Sequence, residues 1–179
     1  MPSFVLSILG DDRSGLVEAL SAVVSAHGGN WDKSHMTQLA GKFAGVVLVA
    51  VPSGRVDAFL SELEPLEAQG LFDISVEEAR GDVETKAPMV VVDVVGNDHP
   101  GIVHEVSHLF ATRKISIDDL QTWTSVAPMA GGRLFHAKAR LRLPAEVSPD
   151  DLLSDLEALA ADLMVDVHLI TEIDEIDGF

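Results

Sequence analysis

This sequence predicts an α+β protein of two domains in tandem, each with the order strand–helix–strand–strand–helix–strand. Three observations carry the prediction. The eight residues Gly10-Asp11-Asp12-Arg13-Ser14-Gly15-Leu16-Val17 return, altered but aligned, as Gly96-Asn97-Asp98-His99-Pro100-Gly101-Ile102-Val103, every pair 86 positions apart. Solenoid repeats run about 20–50 residues, so a repeat this long marks two related domains. An apolar extended run precedes each copy (residues 4–9 and 90–95), and a run of helical period follows it (16–26 and 102–112). The composition is 47% hydrophobic, enough for packed cores and too apolar for disorder.

In the first half, Phe4, Leu6 and Ile8 alternate with Val5, Ser7 and Leu9, as a strand requires. Ser14 is placed to N-cap a helix. Leu16, Val17, Leu20, Val23 and Val24 then recur at three- and four-residue spacing and predict one buried helical face, ended by Gly28-Gly29. A second strand is expected over 30–39 and a third over 42–51, with Ala40-Gly41 as the hairpin turn. Pro52-Ser53-Gly54 breaks the run. Val56, Phe59, Leu60, Leu63 and Leu66 mark a second helix, and residues 71–76 a fourth strand.

The second half repeats the order: strand 89–95, helix 100–112, strands 115–124 and 133–143, helix 149–161 and strand 164–173. Pro100 and Pro149 are expected in the first helical turn, where a missing N–H costs nothing. The expected domains are 1–80 and 89–179, joined by a polar linker over 81–88. Residues 125–132 expand the second hairpin, and an acidic tail over 174–179 follows the last strand. Two amphipathic helices over one face of a four-stranded antiparallel sheet give the ferredoxin-like arrangement. The third strand is apolar at both parities, with Phe43, Val47, Val49 and Val51 on one face and Val46, Leu48 and Ala50 on the other. Strands apolar on both faces are usually buried on both. The open face of the N-terminal sheet is therefore expected to be covered by the second domain or another subunit.

Composition excludes several function classes. Cysteine is absent, which removes disulfides, thiol nucleophiles and zinc–thiolate sites. The start Met1-Pro2-Ser3 lacks the basic region of a signal peptide, and the longest apolar run, 44–51, has strand length. A cytoplasmic protein that contacts no membrane is expected. The formal net charge of −17 opposes direct nucleic-acid binding, which draws on cations meeting phosphates. Lys138, Arg140 and Arg142 share a strand face, read as a solvated face balancing acids such as Asp150, Asp151 and Asp155.

The strand–turn–helix junction is where backbone N–H groups and a helix dipole can hold an anion. With Gly-x-Asp-x-x-Gly-hydrophobic-Val at both junctions and βαββαβ order over nearly the whole chain, the sequence resembles tandem ACT-domain proteins. Its length and lack of an attached enzyme or DNA-binding domain are most similar to the glycine cleavage system repressor group. That resemblance implies a regulatory protein that binds an amino acid or related small metabolite where domains pair. It also implies modulation of a protein partner, in that group a transcription regulator carrying the DNA-binding helix. The implied ligand-binding residues are Asp11, Asp12, Arg13, Ser14, Gly15 and Asn30 in the first copy, and Asn97, Asp98, His99, Pro100 and Gly101 in the second. Loop N–H groups would take the carboxylate, Gly15 and Gly101 would permit close backbone approach, and Asp12, Asp98 or Asn97 would hold the ammonium. Asn30 opens the second strand, where such domains often carry a ligand-facing Asn; Ser116 stands there in the second copy. The first copy, with Asp12, Gly15 and Asn30, is favoured. A homodimer is expected, with no cofactor, metal or catalytic residue. The alternative is a dimerisation or scaffold module without a ligand.

A weaker alternative is a metal-dependent hydrolase. His104-Glu105-Val106-Ser107-His108 matches the His-Glu-x-x-His pattern of helical zinc sites. Its aligned first-half positions, Glu18 and Ala22, are ordinary helix-surface residues. The core face Ile102, Val103, Val106, Leu109 and Phe110 turns both histidines outward, and His136 and His168 lie on other strands. Trp31 and Trp123 are expected to pack or form an interface.

Overall fold

Alternation along the first strand decides which way the N-terminal sheet faces. In the computed structural model, which describes residues 1–81, 87–127 and 132–171, Phe4, Leu6 and Ile8 of β1 (Ser3–Asp11) are buried on one side. Two helices close over that side. Helix α1 (Leu16–Ala26) buries Leu16, Leu20 and Val24, and α2 (Val56–Ala68) buries Phe59, Leu63 and Leu66. Between them come β2 (Asn30–Leu39) and β3 (Lys42–Ala50), and β4 (Asp73–Glu78) follows α2. The sheet order is β2-β3-β1-β4, every neighbouring pair antiparallel. Ala40 and Gly41 join β2 to β3 with φ of 51° and 80°, the double left-handed turn that suits a twisted hairpin.

The second unit repeats this plan. It consists of β5 (Met89–Asn97), α3 (Ile102–Thr112), β6 (Ser116–Val126), β7 (Arg133–Arg142), α4 (Pro149–Leu163) and β8 (Val165–Thr171), with sheet order β6-β7-β5-β8. Val90, Val92 and Val94 of β5 meet Ala139 and Leu141 of β7 and Leu152 and Leu156 of α4 in a separate core. The chain divides into compact units Met1–Val83 and Glu84–Phe179, each with its own hydrophobic cluster. Both are ferredoxin-like α+β units. Most of the expected linker, the acidic tail and part of the expanded hairpin lie outside the described residues.

Several local expectations are corrected. Ser14 does not cap α1: Gly15 is the N-cap, at φ 91°, without a side-chain hydrogen bond. Pro100 likewise precedes the helix rather than opening it, because Gly101 at φ 104° is the N-cap of α3. Pro149 does open α4 after Ser148. The Ser148 hydroxyl oxygen accepts from Asp151 N–H at 3.1 Å, and the Asp151 carboxylate accepts back from Ser148 N–H, a capping box. The fourth strand begins at Asp73, since Leu71 N–H bonds back to Leu66 C=O and closes the end of α2.

Val17 and Val103 were expected in the core; they are 46% and 44% exposed. Each follows a buried residue, Leu16 or Ile102, and so lies about 100° round the helix at its exposed margin. Within the chain itself the motif glycines divide their labour. Nothing lies within 4 Å of a Cβ added at Gly15 or Gly101, so their positive φ is what requires glycine. Close approach belongs to Gly10, where an added Cβ would meet Leu71 O at 2.3 Å, and to Gly96, where it would meet Val165 Cγ1 at 2.4 Å.

Candidate functional site

The end of β1 is held in the sheet by its neighbour's end. Asp11 pairs with Lys42 in register, and their side chains form an ion pair that pulls the Asp11 carboxyl below its ordinary pKa. Asp12 N–H donates to Gly41 C=O at 2.9 Å, tying the turn to the β2–β3 hairpin. Arg13 reaches across to donate to Gly70 C=O, beyond the end of α2. Gly15 then swings the chain into α1, and its carbonyl takes the first helical bond, from Ala19 N–H at 2.9 Å. With no cap side chain at Gly15, the N–H groups of Leu16, Val17 and Glu18 open the positive end of the helix.

A depression of about 250 Å³ lies at this junction, lined by Asp12, Arg13, Gly15, Leu16, Val17, Glu18 and Phe43. Asp12, Arg13 and Glu18 are among the lining residues beside the first turn of α1, and the exposed wall itself is chiefly apolar, with Val17 and Phe43 in it. Three members of the sequence-derived set, Asp12, Arg13 and Gly15, line the depression. Asp11 and Ser14 flank it, both exposed. Glu18, Val17 and Phe43 were outside that set. Glu18 has a legible signal, an acid in the first helical turn whose aligned counterpart is His104; Phe43 has none, because only the β-sheet register brings it under the loop.

Asn30 is not brought to this place within its own unit. It pairs with Ala50, which pairs with Ser3, whereas Asp11 pairs with Lys42, which pairs with Leu39. Strand rise puts Asn30 on the order of 25 Å along the sheet from Asp11. Its amide donates to Asp32, which sits in a β-bulge between Trp31 and Lys33. The second unit has the same bulge between Ile117 and Asp119, after Ser116.

The second loop is built alike but closed differently. Asp98 N–H donates to Arg133 C=O at 2.9 Å, and Arg133 Nε lies 3.8 Å from the Asp98 carboxylate. His99, aligned with Arg13, contacts Pro100 O and Leu163 O, each at 3.1 Å. These two carbonyls raise its pKa above the usual 6.5. Asn97 is exposed at the end of β5, and Pro100 and Gly101 complete the turn.

His104 and His108 are exposed and stack on each other, ring centres 6.2 Å apart. No group of three or more His, Asp or Glu that could hold a metal ion occurs among the described residues. The cationic face of β7 meets acids of its own sheet: Arg142 pairs with Asp118 at 2.8 Å, while Lys138 stands in register opposite Asp93 and Arg140 opposite Asp119. The acids expected to balance it lie on α4, across the sheet, where Asp155 pairs with Arg113 at 2.6 Å and Asp151 caps the helix. No helix among the described residues is long and apolar enough to cross a membrane.

The ACT domain family model matches residues 3–77. Over 183 aligned positions the chain is 26% identical to the glycine cleavage system transcriptional repressor of Escherichia coli (strain K12), covering 97% of this chain and 94% of that protein. A crystal structure of an unknown protein from Galdieria sulphuraria is similar at a TM-score of 0.85 and 30% identity, covering 96% of this chain and 99% of that one. Another, provisionally assigned as a glycine cleavage system transcriptional repressor, reaches a TM-score of 0.72 at 20% identity, a likeness of fold, and covers 96% of this chain and 98% of that one.

Proposed function

We propose, from the premise that this chain belongs to the ACT-domain family and carries two ACT-type domains in tandem, that it is a regulatory protein sensing a small amino acid or related metabolite. The observation that carries the reading is the depression over the first turn of α1, whose lining includes Asp12, Glu18, Val17 and Phe43 beside a helix N-terminus without a side-chain cap. A ligand carboxylate would take the N–H groups of Leu16 and Val17, its ammonium would lie against Asp12 and Glu18, and its short side chain would rest on Phe43. The first copy is the favoured site, because its first-turn acid Glu18 is replaced by His104 in the second. Asn30 fits such a site only when contributed by a second copy of the chain, in keeping with a homodimer.

Binding would modulate a protein partner, with a transcription regulator suggested by the relative in Escherichia coli. The net charge of −17 supports a protein partner over DNA. Calorimetry and thermal-shift screening against the twenty amino acids test the sensor. A small amino acid should raise the melting temperature at millimolar concentration, and Asp12→Asn with Glu18→Gln should abolish the response. Absence of any response would leave the scaffold reading. That second reading has one observation of its own: Asp11, Arg13 and both motif glycines already serve the fold through Lys42, Gly70 and the backbone.

A further inference from the structure

The open face of the N-terminal sheet carries opposite charges where they cannot meet each other. One row of that face runs Lys33–Leu48–Val5–Glu77 across β2, β3, β1 and β4. The next runs His35–Val46–Ser7–Ser75, and a third Thr37–Ala44–Leu9–Asp73. These side chains turn away from the helices, because their strand neighbours Phe4, Leu6, Ile8, Val47 and Val49 take the core side. Lys33 and His35 thus stand on β2, and Glu77 and Asp73 on β4. An apolar strip lies between them, with Val46 and Leu9 exposed and Val5 and Leu48 half-buried. Lys33 and Glu77 are three strand spacings apart, about 14 Å, and neither forms an ion pair among the described residues. A broad depression of about 860 Å³ opens over the first two rows.

The second unit arranges the same positions differently. Its aligned row is Asp119–Arg140–Val91–Ile170, and the next is Gln121–Lys138–Asp93–His168. Opposite charges are cross-strand neighbours there, Asp119 beside Arg140 and Lys138 beside Asp93. That face balances its own charges, whereas the first presents them sorted by sign on either side of an apolar strip.

We propose that the open face of the N-terminal sheet is the contact surface for a second copy of this chain, turned about a twofold axis parallel to the strands. Such an axis reverses the strand order across the contact. Lys33 then faces the partner's Glu77 and Leu48 faces the partner's Val5, each twice over. The two faces pack as an aligned sandwich about 10 Å apart. A twofold across the strands would instead set β4 on β4 and bring Glu77 towards the partner's Asp73, acid against acid. The charge pattern selects the first axis. This contact is separate from the sensor reading. It leaves the partner's Asn30 at the end of the sheet away from the α1 depression, so bringing Asn30 there takes a different contact.

The test is the mass of the full chain by sedimentation at tens of micromolar, with circular dichroism to confirm folding. Lys33→Glu and Glu77→Lys each put like charges opposite one another twice, and each should halve the particle mass. Mixing the two single variants should restore it, because the acids of one chain then meet the lysines of the other at both contacts. The double variant Lys33→Glu, Glu77→Lys should restore it as well. A monomeric wild-type chain, the outcome if the second unit covers this face, would overturn the proposal. So would single variants of undiminished mass, or folded single variants that stay dissociated when mixed.

Discussion

The imidazole of His99 joins the start of α3 to the end of α4, its Nε2 lying 3.1 Å from the carbonyl oxygen of Leu163. Its other nitrogen faces Pro100 O at the same distance. Carbonyl oxygens only accept, so both contacts are hydrogen bonds only when both ring nitrogens carry protons. The imidazolium also sits at a helix C-terminus, where a cation is favoured. These bonds, Pro100 first and Leu163 second, raise the His99 pKa. A raised folded-state pKa gives a contribution fully present below the unfolded value, about 6.5, and lost as pH rises through the folded value. Denaturation midpoints should fall with rising pH in that window for the wild-type chain. His99→Ala should remove that part of the slope, and NMR titration should place the His99 pKa above 6.5.

Arg13 makes the equivalent tie in the first unit, to Gly70 C=O. Arg13→His should therefore add a second pH-dependent component over the same window, read as a steeper slope of midpoint against pH.

The four motif glycines should fail for two different reasons. Gly15→Ala and Gly101→Ala force a side chain into left-handed backbone and should each cost about 1–2 kcal/mol with the core intact. Gly10→Ala and Gly96→Ala push a methyl against Leu71 and Val165 and should cost about 1–3 kcal/mol, with chemical-shift changes across β4 or β8. Urea unfolding measures the first quantity, and the distribution of shifts separates the causes.

Ser148→Ala removes the cap of α4 and should cost about 1 kcal/mol, visible as a lower urea midpoint. The same hydroxyl and the Ser148 N–H hold the Asp151 carboxyl below its usual 3.8. A depressed carboxyl stabilises above its unfolded pKa and loses that contribution as pH falls through the folded value. Acid unfolding of Asp151→Asn should accordingly be less steep than that of the wild type at the acidic end.

Val46 is 46% exposed on the sheet face turned away from the helices, with Leu48 half-buried beside it. If a second copy covers this face, the wild-type chain sediments as a dimer and Val46→Asp as a monomer, with unchanged circular dichroism. A wild-type monomer at tens of micromolar would remove a second copy as the cover of this face.

The sequence by itself determined the two domains, their βαββαβ order and the class of each element, because hydrophobic period and turn chemistry are local. Leu16, Leu20 and Val24 declare a helix, and Ala40-Gly41 declares a hairpin, without reference to anything distant. It also determined that the paired Gly-x-Asp-x-x-Gly loops matter, since both copies kept them. Tertiary structure alone decided why they matter. Only the sheet register shows that Gly10 must be small because Leu71 passes over it, that Phe43 floors the loop, and that Asn30 stands at the far end of its own sheet from Asp12. Only helix packing leaves Val17 and Val103 exposed at the loop mouths. These are relations between residues 18 or more positions apart, fixed by backbone pairing and packing, and no local pattern encodes them.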